Sequence, residues 1–202
     1  MTTRTITGLY DTYDDAAQTV RDLAAAGVPD ADISVVANNV DNRYVLKEES
    51  NAMPDAEAGA AVGLVLGGGA GLLAGLGLLA IPGVGPVVAA GWLVATAVGA
   101  GAGAATGGVI GSLTSAGVSR EHAHIYAEGV RRGGTLVTAR VEEHRVAVVE
   151  EIMRRHRSVD PDTRGRTYRD AGWSAFDEGS PPYTAAELER ERQRTRDLIP
   201  IA

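Results

Sequence analysis

The sequence predicts an α+β fold, a small sheet-and-helix domain interrupted by a long apolar helical hairpin and followed by a polar tail that carries a helix. Three observations lead there. Strand-like runs alternate with helix-length segments whose apolar residues recur at spacings of three and four. No Asp, Glu, Lys, Arg or His lies between Glu57 and Arg120. Beyond Asp160 the chain turns polar.

The elements follow in order. Residues 5–10 read as a strand closed by Asp11, and Thr12 caps a helix that runs to Ala25 with Ala16, Val20, Leu23 and Ala24 on one stripe. Gly27 stops that helix, and Ile33, Val35 and Val36 make the second strand. Residues 40–57 are an acidic linker, with Glu48, Glu49, Asp55 and Glu57 and a breaker at Pro54. After the apolar region, Ser119 caps a helix carrying Ala123, Tyr126, Ala127 and Val130, which Gly133-Gly134 ends. Leu136 to Val141 alternate as a strand, a helix buries Val146, Val149, Ile152 and Met153, and Val159 begins a last short strand. This order matches a split β-α-β domain of the ferredoxin-like kind, formed by residues 1–39 and 117–160, with the hairpin (58–116) inserted between the second and third strands. Residues 161–202 are the tail.

The apolar region is expected to be two helices, Ala58 to Ala80 and Val87 to Ser115, joined by the breaker-rich turn Ile81 to Pro86. Small residues recur every fourth position. Gly59, Gly63, Gly67, Gly71 and Gly75 form one series, and Gly91, Ala95, Gly99, Gly103, Gly107, Gly111 and Ser115 the other. On helices each series makes a groove through which two backbones approach closely. Interior glycines cost about 1 kcal/mol each relative to alanine, so close packing must offset them. Leu64, Leu72, Leu76, Leu79, Val88 and Trp92 are then left as an outer apolar face. With no charge beside it, that face needs lipid or further copies of the chain.

Charge and composition narrow the function. The net charge is −7, which shows no electrostatic footprint for nucleic acid. No cysteine is present, so thiol chemistry and disulfides are absent. The start MTTRTITGLYD lacks the basic-then-apolar layout of a secretory signal, so the expected location is the cytoplasm or the cytoplasmic side of an inner membrane. Glu121, His122 and His124 are not read as metal ligands, because helical residues two apart point to different sides. No phosphate loop and no Gly-x-Ser-x-Gly motif occurs, so neither catalytic nor cofactor-binding residues are assigned. Arg131-Arg132 and the cluster Arg154-Arg155-His156-Arg157 read as solvated helix ends, with anionic headgroups as the alternative. Tyr168, Trp173, Phe176 and Tyr183 concentrate aromatic side chains in the tail and predict that it docks on the domain or on a neighbouring subunit.

The run from Gly117 to Val141, the start Gly8-Leu9-Tyr10-Asp11, the turn Ile81 to Pro86 and the tail segments Gly172 to Asp177 and Pro182 to Thr184 resemble bacterial general stress proteins with a heat-induced-stress-type domain. The resemblance implies stress-linked expression and a ferredoxin-like domain, with no catalytic residues to transfer. The expected function is a non-enzymatic, stress-associated protein that self-assembles through the glycine-stepped hairpin, its partner being itself. An integral membrane hairpin that alters bilayer permeability or shape is one alternative, and a small-ligand binding module is another. No cofactor and no nucleic acid enter any of these readings.

Overall fold

A computed structural model of the chain describes residues 2–41, 77–93, 95 and 108–198. Among them, five antiparallel strands form one sheet: β1 (Thr3–Tyr10), β2 (Ile33–Asn38), β3 (Gly77–Ile81), β4 (Gly85–Gly91) and β5 (Thr135–Glu142). The order across the sheet is β1-β5-β2-β4-β3. The helices are α1 (Tyr13–Ala25), α2 (Gly108–Ser115), α3 (Arg120–Arg131), α4 (Val146–Arg155), α5 (Pro161–Asp170) and α6 (Ala185–Leu198).

Local chemistry sets the helix ends. Thr12 Oγ1 accepts from the Asp15 amide at 3.1 Å, which satisfies a donor that the first turn leaves unpaired. At the other end of α1, Gly27 adopts φ +81°, and the Val28 amide donates back to the Leu23 carbonyl at 3.0 Å. Ser119 caps α3 in the same way as Thr12 caps α1, accepting from His122. Asp160 caps α5 ahead of Pro161, whose missing N–H is not needed at a first helical position.

β5 pairs antiparallel with both β1 and β2, so those two run parallel with β5 between them and α1 as their crossover. Both faces of the sheet are covered. On one, Val20, Leu23 and Met153 from α1 and α4 bury Ile33, Val35, Val137 and Ala139. On the other, α2 brings Val109 and Leu113, and α3 brings Ala123, Tyr126 and Val130, over Leu9, Val36, Val87 and Leu136. Each such aliphatic side chain contributes roughly 1.5–3 kcal/mol by leaving water. β2 is buried at every position because it is central in the sheet and covered on both sides. Beyond β1, Val159 forms a single antiparallel bridge to Leu9, its amide donating at 2.7 Å.

The coarse α+β expectation holds, the expected long helices fail over residues 77–91, and residues 58–76 and 96–107 of them lie outside the described residues. Residues 77–91, expected in two helices and their turn, are the β3–β4 hairpin, and β4 pairs with β2 as the sheet's fourth strand. The second apolar run, expected as one helix from Val87 to Ser115, is therefore strand to Gly91, and its described residues Gly108–Ser115 are helical. Gly83, Gly85 and Gly91 have φ of +72°, +97° and +95°, values no α-helix contains. Val84, Val87 and Val88 favour the pleat, and β2 requires a partner for its second row of backbone groups. Val88, expected on an outer face, is fully buried. Trp92, also expected there, is half-buried; its indole N–H donates to the Asp32 carbonyl at 3.2 Å, and Arg140 stacks 4.7 Å from its ring. β3 and β4 fall within residues 58–116 and join the sheet through β2. Among the described residues, no helix is long and apolar enough to cross a membrane.

Candidate functional site

Among the described residues, a group of buried ion pairs lies where β1 hands over to α1. A cleft of about 490 Å³ opens there, lined by Asp11, Tyr13, Asp14, the Gly133-Gly134 turn, Arg132, Arg164, Tyr168, Glu191 and Arg192. The fold assembles it from distant parts of the chain. Asp11 and Asp14 flank the α1 cap, Arg132 and the two glycines end α3, Arg164 and Tyr168 come from α5, and Glu191 and Arg192 from α6.

Each guanidinium there has a carboxylate. Arg164 donates to both oxygens of Asp11, at 2.8 and 2.7 Å, a two-pronged geometry that fixes α5 to the end of β1. Burial works against the Arg164 charge, but the hydrogen bond and charge of Asp11 outweigh it and raise its pKa. Arg132 donates from Nε to Glu128 at 2.6 Å and lies 3.5 Å from Glu191. Glu128 is fully buried, and Arg131 meets its second oxygen at 3.4 Å. Arg192 is bonded to Asp41. The Arg132 guanidinium stacks 4.4 Å from the Tyr168 ring centre, and burial raises the Tyr168 pKa. The ionisable groups that line the cleft are thus arginines, carboxylates and tyrosines, with the cations and anions largely matched.

This network also fastens a C-terminal arm, residues 171–198, to the domain. Leu188 of α6 is fully buried, 3.1 Å from where a Cβ on Gly133 would stand. Thr184 caps α6, and Glu187 reaches back to its amide at 2.8 Å, a reciprocal capping box. Before α6, Arg131 donates to the Pro181 carbonyl at 3.0 Å and stacks 4.8 Å from the Tyr183 ring. Phe176 is buried with Val84 in the core under α2 and α3. The arm crosses the β3–β4 turn closely enough that a Cβ on Gly83 would lie 2.7 Å from the Asp177 carbonyl oxygen.

The tail aromatics were expected to dock, and Tyr168 and Phe176 do. Arg131 and Arg132, read as a solvated helix end, instead clamp the arm through Glu128, Pro181 and Tyr183, a role that sequence reading missed. His122 pairs with Asp162 at 3.0 Å while His124 lines a different groove with Ile110 and Phe176, so the two histidines do diverge. Among the described residues no three His, Asp or Glu side chains are grouped to hold a metal. Of the small-residue series, Gly91 is in β4 against β2, whereas Gly111 and Ser115 lie on α2 and Ala95 is exposed. Leu79 is in β3. Gly59, Gly63, Gly67, Gly71, Gly75, Gly99, Gly103 and Gly107, with Leu64, Leu72 and Leu76, lie outside the described residues.

Residues 5–83 match the family described as the heat induced stress protein YflT domain. The match runs from β1 to the β3–β4 turn and covers less than half of the chain. No curated protein and no solved structure matches the chain.

Proposed function

We propose that this chain is a non-enzymatic, stress-associated protein that self-assembles through the glycine-stepped part of its uncharged stretch. One observation carries the reading. Residues 58–119 hold no ionisable side chain, and among the described residues they supply Gly77–Ile81, Gly85–Gly91 and Gly108–Ser115 as named elements. Gly59 to Gly75 and Gly99 to Gly107 keep the four-residue spacing without any charge to solvate them. Small-xxx-small spacing lets two backbones meet, and an uncharged Leu-rich surface beside it favours association over solvation. We read β1, β5 and β2 with α1, α4 and the Val159 bridge as a ferredoxin-like unit extended by the β3–β4 hairpin. On that reading the domain is the solvated body that carries the associating segment.

The test is particle size. Gly67→Leu and Gly103→Leu fill the groove and are expected to reduce the sedimentation coefficient of the full chain prepared without detergent; an unchanged particle overturns the zipper. Recovery only in alkaline-resistant membranes turns the reading to bilayer insertion.

The cleft favours a second reading, a small-ligand binding module. Its cations are already matched by Asp11, Glu128, Glu191 and Asp41, so a ligand must compete with carboxylates of the chain itself. A thermal-shift screen of anionic and zwitterionic metabolites with no shift at millimolar concentration counts against it.

A further inference from the structure

We infer that the cleft where β1 meets α1 binds a small zwitterion, its carboxylate at the buried arginine and tyrosine donors and its ammonium group at Asp14. The inference rests on the small-ligand reading and names the class of ligand.

Three features carry it. The first is a set of donors that the fold leaves unused. Tyr168 is 4% exposed, and its hydroxyl is enclosed without a hydrogen-bond partner. Arg192, 8% exposed, uses only Nη1, which meets Asp41 and Glu189, so its Nε and Nη2 have no acceptor among the described residues. Arg132 donates from Nε and Nη1 and leaves Nη2 without an acceptor there. A buried donor left unpaired costs the full desolvation of the group, so native structures rarely keep one. Three side chains of one cleft that hold such donors call for an acceptor from outside the chain.

The second feature is space. The cleft, about 490 Å³, has the size of a small-molecule site. Gly133 keeps part of it open, since a Cβ there would stand 3.2 Å from Arg192 Nε.

The third feature is charge. Arg131, Arg132, Arg164 and Arg192 are balanced by Glu128, Glu191, Asp11 and Asp41 in the ion pairs about the cleft. Asp14 is exposed, lines the same cleft, and has neither a hydrogen bond nor an ion pair among the described residues. A simple anion would enter a site whose only unmatched charge is negative. A simple cation would satisfy Asp14 and leave the buried donors as they are. A molecule that carries both groups and no net charge supplies the acceptor and the counter-charge together, without upsetting the balance of the buried pairs.

The experiment uses the full chain and a series of probes in which only the distance between the two charges changes: glycine, β-alanine and γ-aminobutyrate. Acetate and methylammonium supply the two halves separately. Binding is read from the backbone amide shifts of Gly133 and Gly134 over a concentration series. At least one zwitterion is expected to shift both amides saturably, at a concentration about tenfold or more below that required of acetate or methylammonium. Tyr168→Phe keeps the ring on which Arg132 stacks, and Asp14→Asn is a surface change. Each is expected to weaken that binding by about tenfold without lowering Tm. Unchanged affinity in either folded variant overturns the proposal. If acetate or methylammonium binds as well as the best zwitterion, or if only anionic metabolites move the two amides, the zwitterion class falls and the small-ligand reading stands. If no probe and no metabolite moves them, water alone fills the cleft, and the proposal falls together with that reading.

Discussion

Gly91 and Gly111 belong to one four-residue series in the sequence, and the fold uses them for different ends. At Gly91, φ is +95°, and a Cβ would stand 2.2 Å from the Ile33 carbonyl oxygen and 2.7 Å from Ser34 Cα. The absent side chain is what lets β4 lie against β2 at that register, where Gly91 is opposite Ser34. At Gly111, inside α2, no described atom lies within 4 Å of such a Cβ. Alanine should therefore act with opposite sign at the two positions. Gly91→Ala is expected to cost about 2 kcal/mol or more, from the unfavourable φ and the forced movement of a backbone carbonyl. Gly111→Ala is expected to stabilise by up to about 1 kcal/mol, since glycine is the poorer helix former. Urea denaturation of both variants checks this, and equal effects at the two sites would contradict the assigned secondary structure.

Among the elements, those whose ends carry a chemical signal were legible. Thr12 and Gly27 bound α1, Ser119 and Gly133 bound α3, and the alternation from Leu136 to Val141 marks β5. The β3–β4 hairpin was not, because residues four apart share a face in a strand as well as in a helix, so the glycine spacing alone could not separate the two. Pairing with β2 decided it, and that is a contact between residues more than 50 positions apart. Helix α5 had a local signal that went unused, the Asp160-Pro161 start with Thr163 two residues on. The clamp by Arg131 and Arg132 had none, since a basic pair after a helix looks alike whether water or a distant arm receives it. The arm's own turns depend on carboxylates. Hydrogen bonds from the Gly179 amide and the Ser180 hydroxyl hold Asp177 below its ordinary pKa of 3.8, and those from Thr184 hold Glu187 below 4.5. A depressed folded pKa means stability that is complete above the ordinary value and lost as pH falls through the folded one. Acidification is thus expected to loosen residues 177–187 only below those two ordinary values. Amide shifts of Gly179 and Thr184 followed by NMR should titrate with midpoints under 3.8 and 4.5 respectively; midpoints at or above them would remove the capping account.

For the whole molecule, the sheet with helices on both faces and the arm differ in what holds them. The body has two apolar clusters on opposite faces of one sheet, each continuous across several elements. The arm is joined to it by Phe176 and Leu188, by Trp173 packed partly buried against one of those clusters, and by a set of charged contacts. Breaking the body removes every strand pairing at once, because β5 and β2 are shared by both clusters. Breaking the arm leaves those pairings intact, so unfolding should occur in two stages. The chain's two tryptophans separate them. Trp92 stands at the end of β4, stacked by Arg140, and Trp173 begins the arm, edge-on to Tyr168 with ring centres 5.6 Å apart. In a Trp92→Phe chain the fluorescence of Trp173 reports the arm, and in a Trp173→Phe chain that of Trp92 reports the sheet. The Trp173 signal is expected to change at lower urea concentration and with a smaller m-value, since less surface is exposed when the arm leaves than when the sheet opens. Coincident midpoints and equal m-values in the two chains would mean that the arm is an inseparable part of the core.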